Sequence, residues 1–309
     1  MTSEEETMVS SFSVESPPHK PPQCRPICVP VFLVMVLYTQ VLHGLCVLLL
    51  LIGIQVPHDY TGTHLFRLVG ARFATTAASH PVMDDSMRPV MFLSNHRSWG
   101  DFVVDCTLLG SPSFISRALV ALGIPMTAAW GFLRGWIWFF QRGKKRSEGT
   151  VEWTARFWAQ SQEIYPGKGV VMYPEGTRSV SLEGLPLKPG GLVSAHKLGW
   201  PLQIVITTNK EFILAEKACV LGCGVNCVSA VSAPLYPSEQ ETPDAFIQRV
   251  KEVWDATWKD AYGSAGIPRS TAQLPGVAQQ SINLSFAGPL RLQLARMFVL
   301  VLLVLLVIF

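Results

Sequence analysis

MFLSNHRSWGDFVVD, residues 91–105, decides how the rest of the chain is read. It opens with a short apolar run, turns polar around Asn95 and His96, and from Asp101 resumes an apolar pattern of helical spacing. Strand, turn and helix are the implied local structures. In a continuous helix, residues five apart point about 140° away from each other, so His96 and Asp101 meet only if His96 lies in the turn. From there the imidazole folds back over the first helical turn. Asp101 then accepts the Nδ1 hydrogen bond and fixes the tautomer, which leaves Nε2 as an outward-facing base.

Three further stretches follow: WFFQRG at 138–143 with Arg142, YPEGTRS at 173–179, and GWPLQIVIT at 199–207 with Pro201. With NHRSWGD they resemble, in order and in spacing, the four sequence blocks of the glycerolipid (lysophospholipid) acyltransferases. The resemblance implies transfer of a fatty acyl group from acyl-CoA to the free hydroxyl of 1-acylglycerol 3-phosphate (lysophosphatidic acid), giving phosphatidic acid. It makes His96 the general base and Asp101 its orienting carboxylate. It assigns acceptor binding to Arg142, Glu175, Gly176, Thr177 and Arg178, and places Pro201 at the start of a strand lining the acyl site. Glu175, itself acidic, is expected to accept from an acceptor hydroxyl or from Arg178. The thioester is already activated, so no acyl-enzyme, metal or cofactor is required, and Ser94 and Ser98 read as turn and cap residues.

Two departures leave the acceptor open. Gln141 stands where many members carry Asp or Asn, and Tyr173 precedes the proline where Phe is common. Another lysophospholipid or glycerol 3-phosphate is the alternative acceptor. A different class of function, an inactive lipid-binding membrane scaffold, is opposed by the intact His96, Asp101, Glu175 and Arg178. A serine hydrolase would need a G-x-S-x-G elbow.

Composition sets the surroundings. Of 309 residues, 49% are hydrophobic and 15% charged, and the mean hydropathy of +0.30 implies that part of the surface faces lipid. The net charge of +3 gives no reason to expect nucleic acid. Seven cysteines, without paired spacing and without a histidine near Cys219, Cys223 and Cys227, read as ordinary thiols of a cytosol-facing domain. Cys24 and Cys28 border an apolar segment where palmitoylation is an option.

Residues 1–26, with three consecutive glutamates and a proline cluster, read as a disordered tail. The almost wholly apolar run 27–56 is long enough to cross a bilayer once with tilt. Its polar break at Gln40 and His43 also admits a hairpin of two short helices, and a single span is the reading taken. His43 is read as a packing residue. Residues 57–79 suggest an amphipathic helix lying on headgroups. From there to 262 the pattern predicts strands near 90–94, 113–116, 136–140, 169–173, 202–207 and 227–233. Helices near 100–110, 118–130, 149–164, 190–198 and 242–261 fall between and after them. The expected fold is therefore α/β, a mostly parallel sheet flanked by helices, with its site at the strand carboxyl ends. The Trp- and Phe-rich stretch 118–140 fits either a buried core or a surface dipping into the interface. Residues 263–289 read as a linker whose sequon at Asn283 goes unused on the cytosolic side. The segment 290–309 reads as a membrane-inserted helix, too short in its uninterrupted apolar part to span alone. An integral membrane protein of the endoplasmic reticulum, with its catalytic domain facing the cytosol, is the expected setting.

Overall fold

The computed structural model describes residues 28–56, 58–83, 89–140, 149–164, 169–263, 268–271 and 283–284. The tail 1–26, Arg142 with the basic run at 144–146, most of 263–289 and the whole of 290–309 lie outside the described residues.

In chain order the helices are α1 (Cys28–Leu51), α2 (His58–Val69), α3 (Asp101–Leu108), α4 (Val120–Gly123), α5 (Pro125–Arg134), α6 (Thr150–Ile164), α7 (Pro189–Leu198), α8 (Lys210–Ile213) and α9 (Pro243–Tyr262). The strands are β1 (Ile54–Gln55), β2 (Arg72–Thr76), β3 (Met91–Ser94), β4 (Ser113–Arg117), β5 (Ile137–Phe140) and β6 (Val170–Met172). They continue with β7 (Leu202–Thr207), β8 (Leu214–Ala215), β9 (Val220–Leu221), β10 (Asn226–Val231), β11 (Pro268–Thr271) and β12 (Asn283–Leu284). The main sheet has the order β11-β2-β10-β7-β3-β6-β4-β5. Its five strands β7, β3, β6, β4 and β5 are mutually parallel. β10 pairs antiparallel with β7, and β2 runs alongside β10, so the sheet is mixed at that edge.

The central parallel strands β3 and β7 are mostly apolar runs buried on both faces, as a sheet covered by helices requires. In β3, Phe92 joins the core formed with α1, α2, α3 and α5, whereas Met91 and Leu93 join that formed with α6, α7 and α9. Period-2 alternation thus delivers side chains to two helical layers at once. The six expected strands are present. The short amphipathic helix expected within 57–79 is α2; Gly70, at φ +65°, ends it and turns the chain into β2, a strand not expected there. The stretch 118–130 divides into α4 and α5 at Pro125, which opens the second helix.

α1 runs unbroken through Gln40 and His43 because both side chains bond across to the domain. Gln40 accepts from Met126 N–H and donates to Thr127 Oγ1, each at 3.0 Å. The His43 ring lies between Thr127 (2.6 Å) and Thr61 (3.3 Å). Leu33, Val34, Leu37, Val41, Leu45 and Leu48 leave an exposed apolar stripe, on a helix long and apolar enough to cross a membrane. In the aromatic stretch, Trp130, Trp136 and Trp138 are core residues, while Leu119, Leu122 and Phe132 are 72%, 79% and 59% exposed.

Candidate active site

Because β3, β4, β6 and β7 are parallel, the residues that follow them gather at one edge of the sheet. Asn95 extends the β3–β7 ladder by one step with its side chain, donating to Thr207 O and accepting from Thr207 N, both at 3.0 Å. The chain is released into its turn at His96. There the imidazole Nδ1 meets Asp101 Oδ2 at 2.8 Å, with the histidine partly exposed and the aspartate buried. The same carboxylate oxygen accepts from the backbone N–H groups of Arg97 and Ser98. Burial by itself would raise the Asp101 carboxyl. The Lys210 ammonium, His96 and the Ser98 N–H outweigh it and hold the group below the usual carboxylate range. An ionised Asp101 keeps the proton on Nδ1 and the lone pair on Nε2.

The EGTR turn is fastened to this turn through the backbone. Glu175, buried, accepts from His96 N at 2.8 Å and from Leu185 N at 2.9 Å. Ser179 N donates to His96 O at 2.9 Å. The buried Arg97 guanidinium pairs with Glu211 and donates to Val180 O at 3.0 Å and Ser181 O at 2.5 Å. Together these contacts tie 175–181 to the turn that carries the histidine.

Beneath the imidazole lies a second polar layer. Tyr173 stacks on the His96 ring, centroids 4.3 Å apart and planes 16° apart, and its hydroxyl donates to Asp105 Oδ2 at 2.9 Å. Lys210 Nζ, fully buried, reaches Asp105 at 3.0 Å, Ser94 Oγ at 2.9 Å and Asn95 O at 2.9 Å.

His96 faces a cavity of about 710 Å³, within the roughly 300–1,000 Å³ of small-ligand sites. The cavity lining includes Val36, Leu65, Phe66 and Phe102 from α1, α2 and α3, and also Phe140 and Trp153. Near the histidine the lining turns cationic, with Arg117, Arg178 and Lys188 beside Gly176 and Thr177. Gly176 is favoured by its φ of +68°, and the flexible end of Lys188 packs against it. Arg178 Nη1 is paired with Glu216 of the β8–β9 hairpin, whose other oxygen accepts from Trp99 N at 3.0 Å.

The structure thus brings His96, Asp101, Gly176, Thr177 and Arg178 together. Two assignments change. Glu175 has both oxygens on backbone N–H groups and does not meet Arg178, which is held by Glu216 instead. Pro201 starts β7, where its carbonyl accepts from Met91 N at the amino ends of the strands. His96 lies at their carboxyl ends, and although the cavity reaches Met91 beside Pro201, the proline is not among the lining residues. Arg142 is outside the described residues. Sequence reasoning did not assign Arg117, Lys188, Asp105, Lys210 or Glu216 to the site. Only Asp105 left a local signal, four residues beyond Asp101 and so on the same helix face.

Comparison with known proteins agrees with this geometry. Residues 75–208 match the protein-family model described as Acyltransferase, a span that contains His96, Asp101 and the whole EGTR turn. Among solved structures, the fold is similar to 1-acyl-sn-glycerophosphate (LPA) acyltransferase, PlsC, from Thermotoga maritima, with a TM-score of 0.56 at 17% identity, over 76% of this chain and 94% of that one. Comparison with curated proteins gives no match. Residues 75–208 thus carry a domain of the Acyltransferase family, matched around a His96–Asp101 pair that the fold assembles.

Proposed function

We propose that this acyltransferase moves a fatty acyl group from acyl-CoA to the free hydroxyl of 1-acylglycerol 3-phosphate at a membrane surface. The observation that carries the reading is the His96–Asp101 pair at the junction of an apolar cavity and a cationic rim. His96 Nε2 takes the hydroxyl proton as the acceptor oxygen attacks the thioester carbonyl. The C–S bond then breaks, and the imidazolium returns its proton to the departing thiolate. Asp101 orients the ring and balances its transient charge, as in a serine-protease triad, with the substrate hydroxyl in place of the serine. Arg117, Arg178 and Lys188 supply charge for the acceptor phosphate, Arg178 with a planar fork suited to two phosphate oxygens. The apolar lining from α1 and α2 takes acyl chain. The name of the Thermotoga protein favours the same acceptor.

The cavity is lined on one side by Met35, Val36 and Thr39 of α1, the helix that carries the exposed apolar stripe, and on another by the segment of exposed Leu119. This arrangement suits a lipid substrate arriving from the bilayer, while the water-soluble donor comes from the cytosol. The test is an assay of the purified full-length protein in vesicles with acyl-CoA and a panel of acceptors. Phosphatidic acid from 1-acylglycerol 3-phosphate is the expected main product. Preference for glycerol 3-phosphate or for a lysolipid with a larger headgroup would replace the acceptor. No transfer to any acceptor would remove the activity.

A further inference from the structure

We propose that Tyr173 and the buried Lys210–Asp105 pair are positioning residues for His96, fixing both the plane of its ring and the charge it meets when it accepts a proton. The proposal rests on the reading of His96 as general base.

A buried ion pair is weak evidence for a stabilising role. Lys210 and Asp105 are both fully buried, and apolar replacement of such a pair is often neutral or stabilising. Delivering the lysine also takes an unusual backbone: Asn209, at φ +61°, precedes it, its side chain bonded to Asn226 O at 2.8 Å. The contacts show what the arrangement holds. The three protons of the ammonium go to Ser94 Oγ, Asn95 O and Asp105, and the first two belong to the residues immediately before His96. Asp105 in turn holds the Tyr173 hydroxyl, and Tyr173 backs the imidazole face. Asp101 and Asp105, four apart on α3, therefore divide the work. Asp101 holds the edge of the ring, and Asp105, through tyrosine and lysine, holds its face and its backbone.

The same pair shapes the local field. The charged and titratable groups around it include Asp101, Asp105 and Cys106 from α3, Lys210 and Glu211 from α8, Tyr173 and Glu175 after β6, Arg97 in the turn, Cys227 on β10 and Tyr262 on α9. Lys210 is the largest favourable charge on Asp101, and burial together with Asp101 pushes the Asp105 carboxyl up against the pull of that lysine. Neutralising Asp105 leaves an uncompensated cation beside the His96–Asp101 pair, which opposes protonation of the imidazole.

The experiment is a pH profile of kcat/KM for the full-length protein in vesicles, with acyl-CoA and 1-acylglycerol 3-phosphate. Asp105→Asn is expected to move the acid limb down by about one pH unit, and the double variant Asp105→Asn/Lys210→Met to return it close to wild type. Tyr173→Leu, a second and independent variant, is expected to lower kcat about tenfold with both KM values within about twofold. Tyr173→Phe, which keeps the stack, should restore most of that loss. An acid limb unmoved in folded Asp105→Asn, or equal kcat in Tyr173→Leu and wild type, overturns the proposal. So does a Tyr173→Leu effect confined to KM. A His96→Ala protein with wild-type turnover would instead overturn the assignment of the base, so the two failures are distinguishable.

Discussion

Arg178 and Glu216 form an ion pair at the site, the arginine supplied by the EGTR turn and the glutamate by the β8–β9 hairpin. Arg178 is partly exposed and also lies over the Trp99 ring, 5.8 Å from guanidinium carbon to centroid. The charge assigned to the acceptor phosphate is therefore already matched by a carboxylate, with which phosphate must compete. Charge-assisted bonds of this kind are worth roughly 1.5–3 kcal/mol. Arg178→Ala is expected to raise the acceptor KM by about ten- to a hundredfold, with little change for acyl-CoA. Arg178→Lys recovers only part, because the fork is lost. Glu216→Gln, by freeing the guanidinium, should lower the acceptor KM up to about tenfold. Initial-rate kinetics with each substrate varied in turn checks all three. A rise confined to the acyl-CoA KM would assign Arg178 to the donor's phosphates.

The Asp101 carboxyl sits below its ordinary range in the folded protein, so it binds a proton less readily there than in the unfolded chain. Its contribution to stability is complete above the ordinary carboxylate pKa and is lost as pH falls through the depressed folded value. Asp101→Asn should therefore melt below wild type at neutral pH, with the gap closing in strong acid. The measurement is a series of intrinsic-fluorescence melts in detergent. The same substitution places an amide where Nδ1–H needs an acceptor, so transfer should fall about as far as for loss of a triad aspartate, of order 10⁴. A stability gap that widens toward acid would contradict the assigned direction.

Leu122 and Phe132 are exposed near the cavity, but neither lines it. If this surface meets lipid, Leu122→Glu and Phe132→Glu forfeit apolar burial of up to about 1.5–3 kcal/mol per side chain. Activity on vesicle-borne acceptor should drop about tenfold, while activity on a short-chain, monomeric acceptor is retained. Equal losses on both substrates would place the defect inside the domain instead.

Much of the parallel sheet was legible, since its strands are short apolar runs bounded by turns and its helices carry their own stops, such as Pro125. β2 was missed because it follows α2 with only Gly70 and Ala71 between them. A glycine after the last periodic residue of a helix is nonetheless the signal for a stop. His96 and Asp101 were legible because five residues and one turn bring them together. Lys210 was not, since 105 positions separate it from Asp105 and only the pairing of β3 with β7 closes the distance. Pro201 stands, as expected, at the start of β7, at the end of that strand away from His96. Glu175 was assigned to substrate because a carboxylate in a motif suggests a ligand contact, whereas the two backbone N–H groups it satisfies leave no trace in side-chain identity.

The central claim is that His96 is the base for acyl transfer to a lipid hydroxyl, and it is tested most directly by following labelled acyl groups from acyl-CoA into lipid. Purified wild-type and His96→Ala proteins would be compared in vesicles containing 1-acylglycerol 3-phosphate, with folding and membrane association of both verified. The account predicts labelled phosphatidic acid from wild type and a loss of about 10² to 10⁴ in rate for the variant, the usual contribution of a general base. A folded, membrane-bound His96→Ala protein that forms the product at the wild-type rate would contradict it.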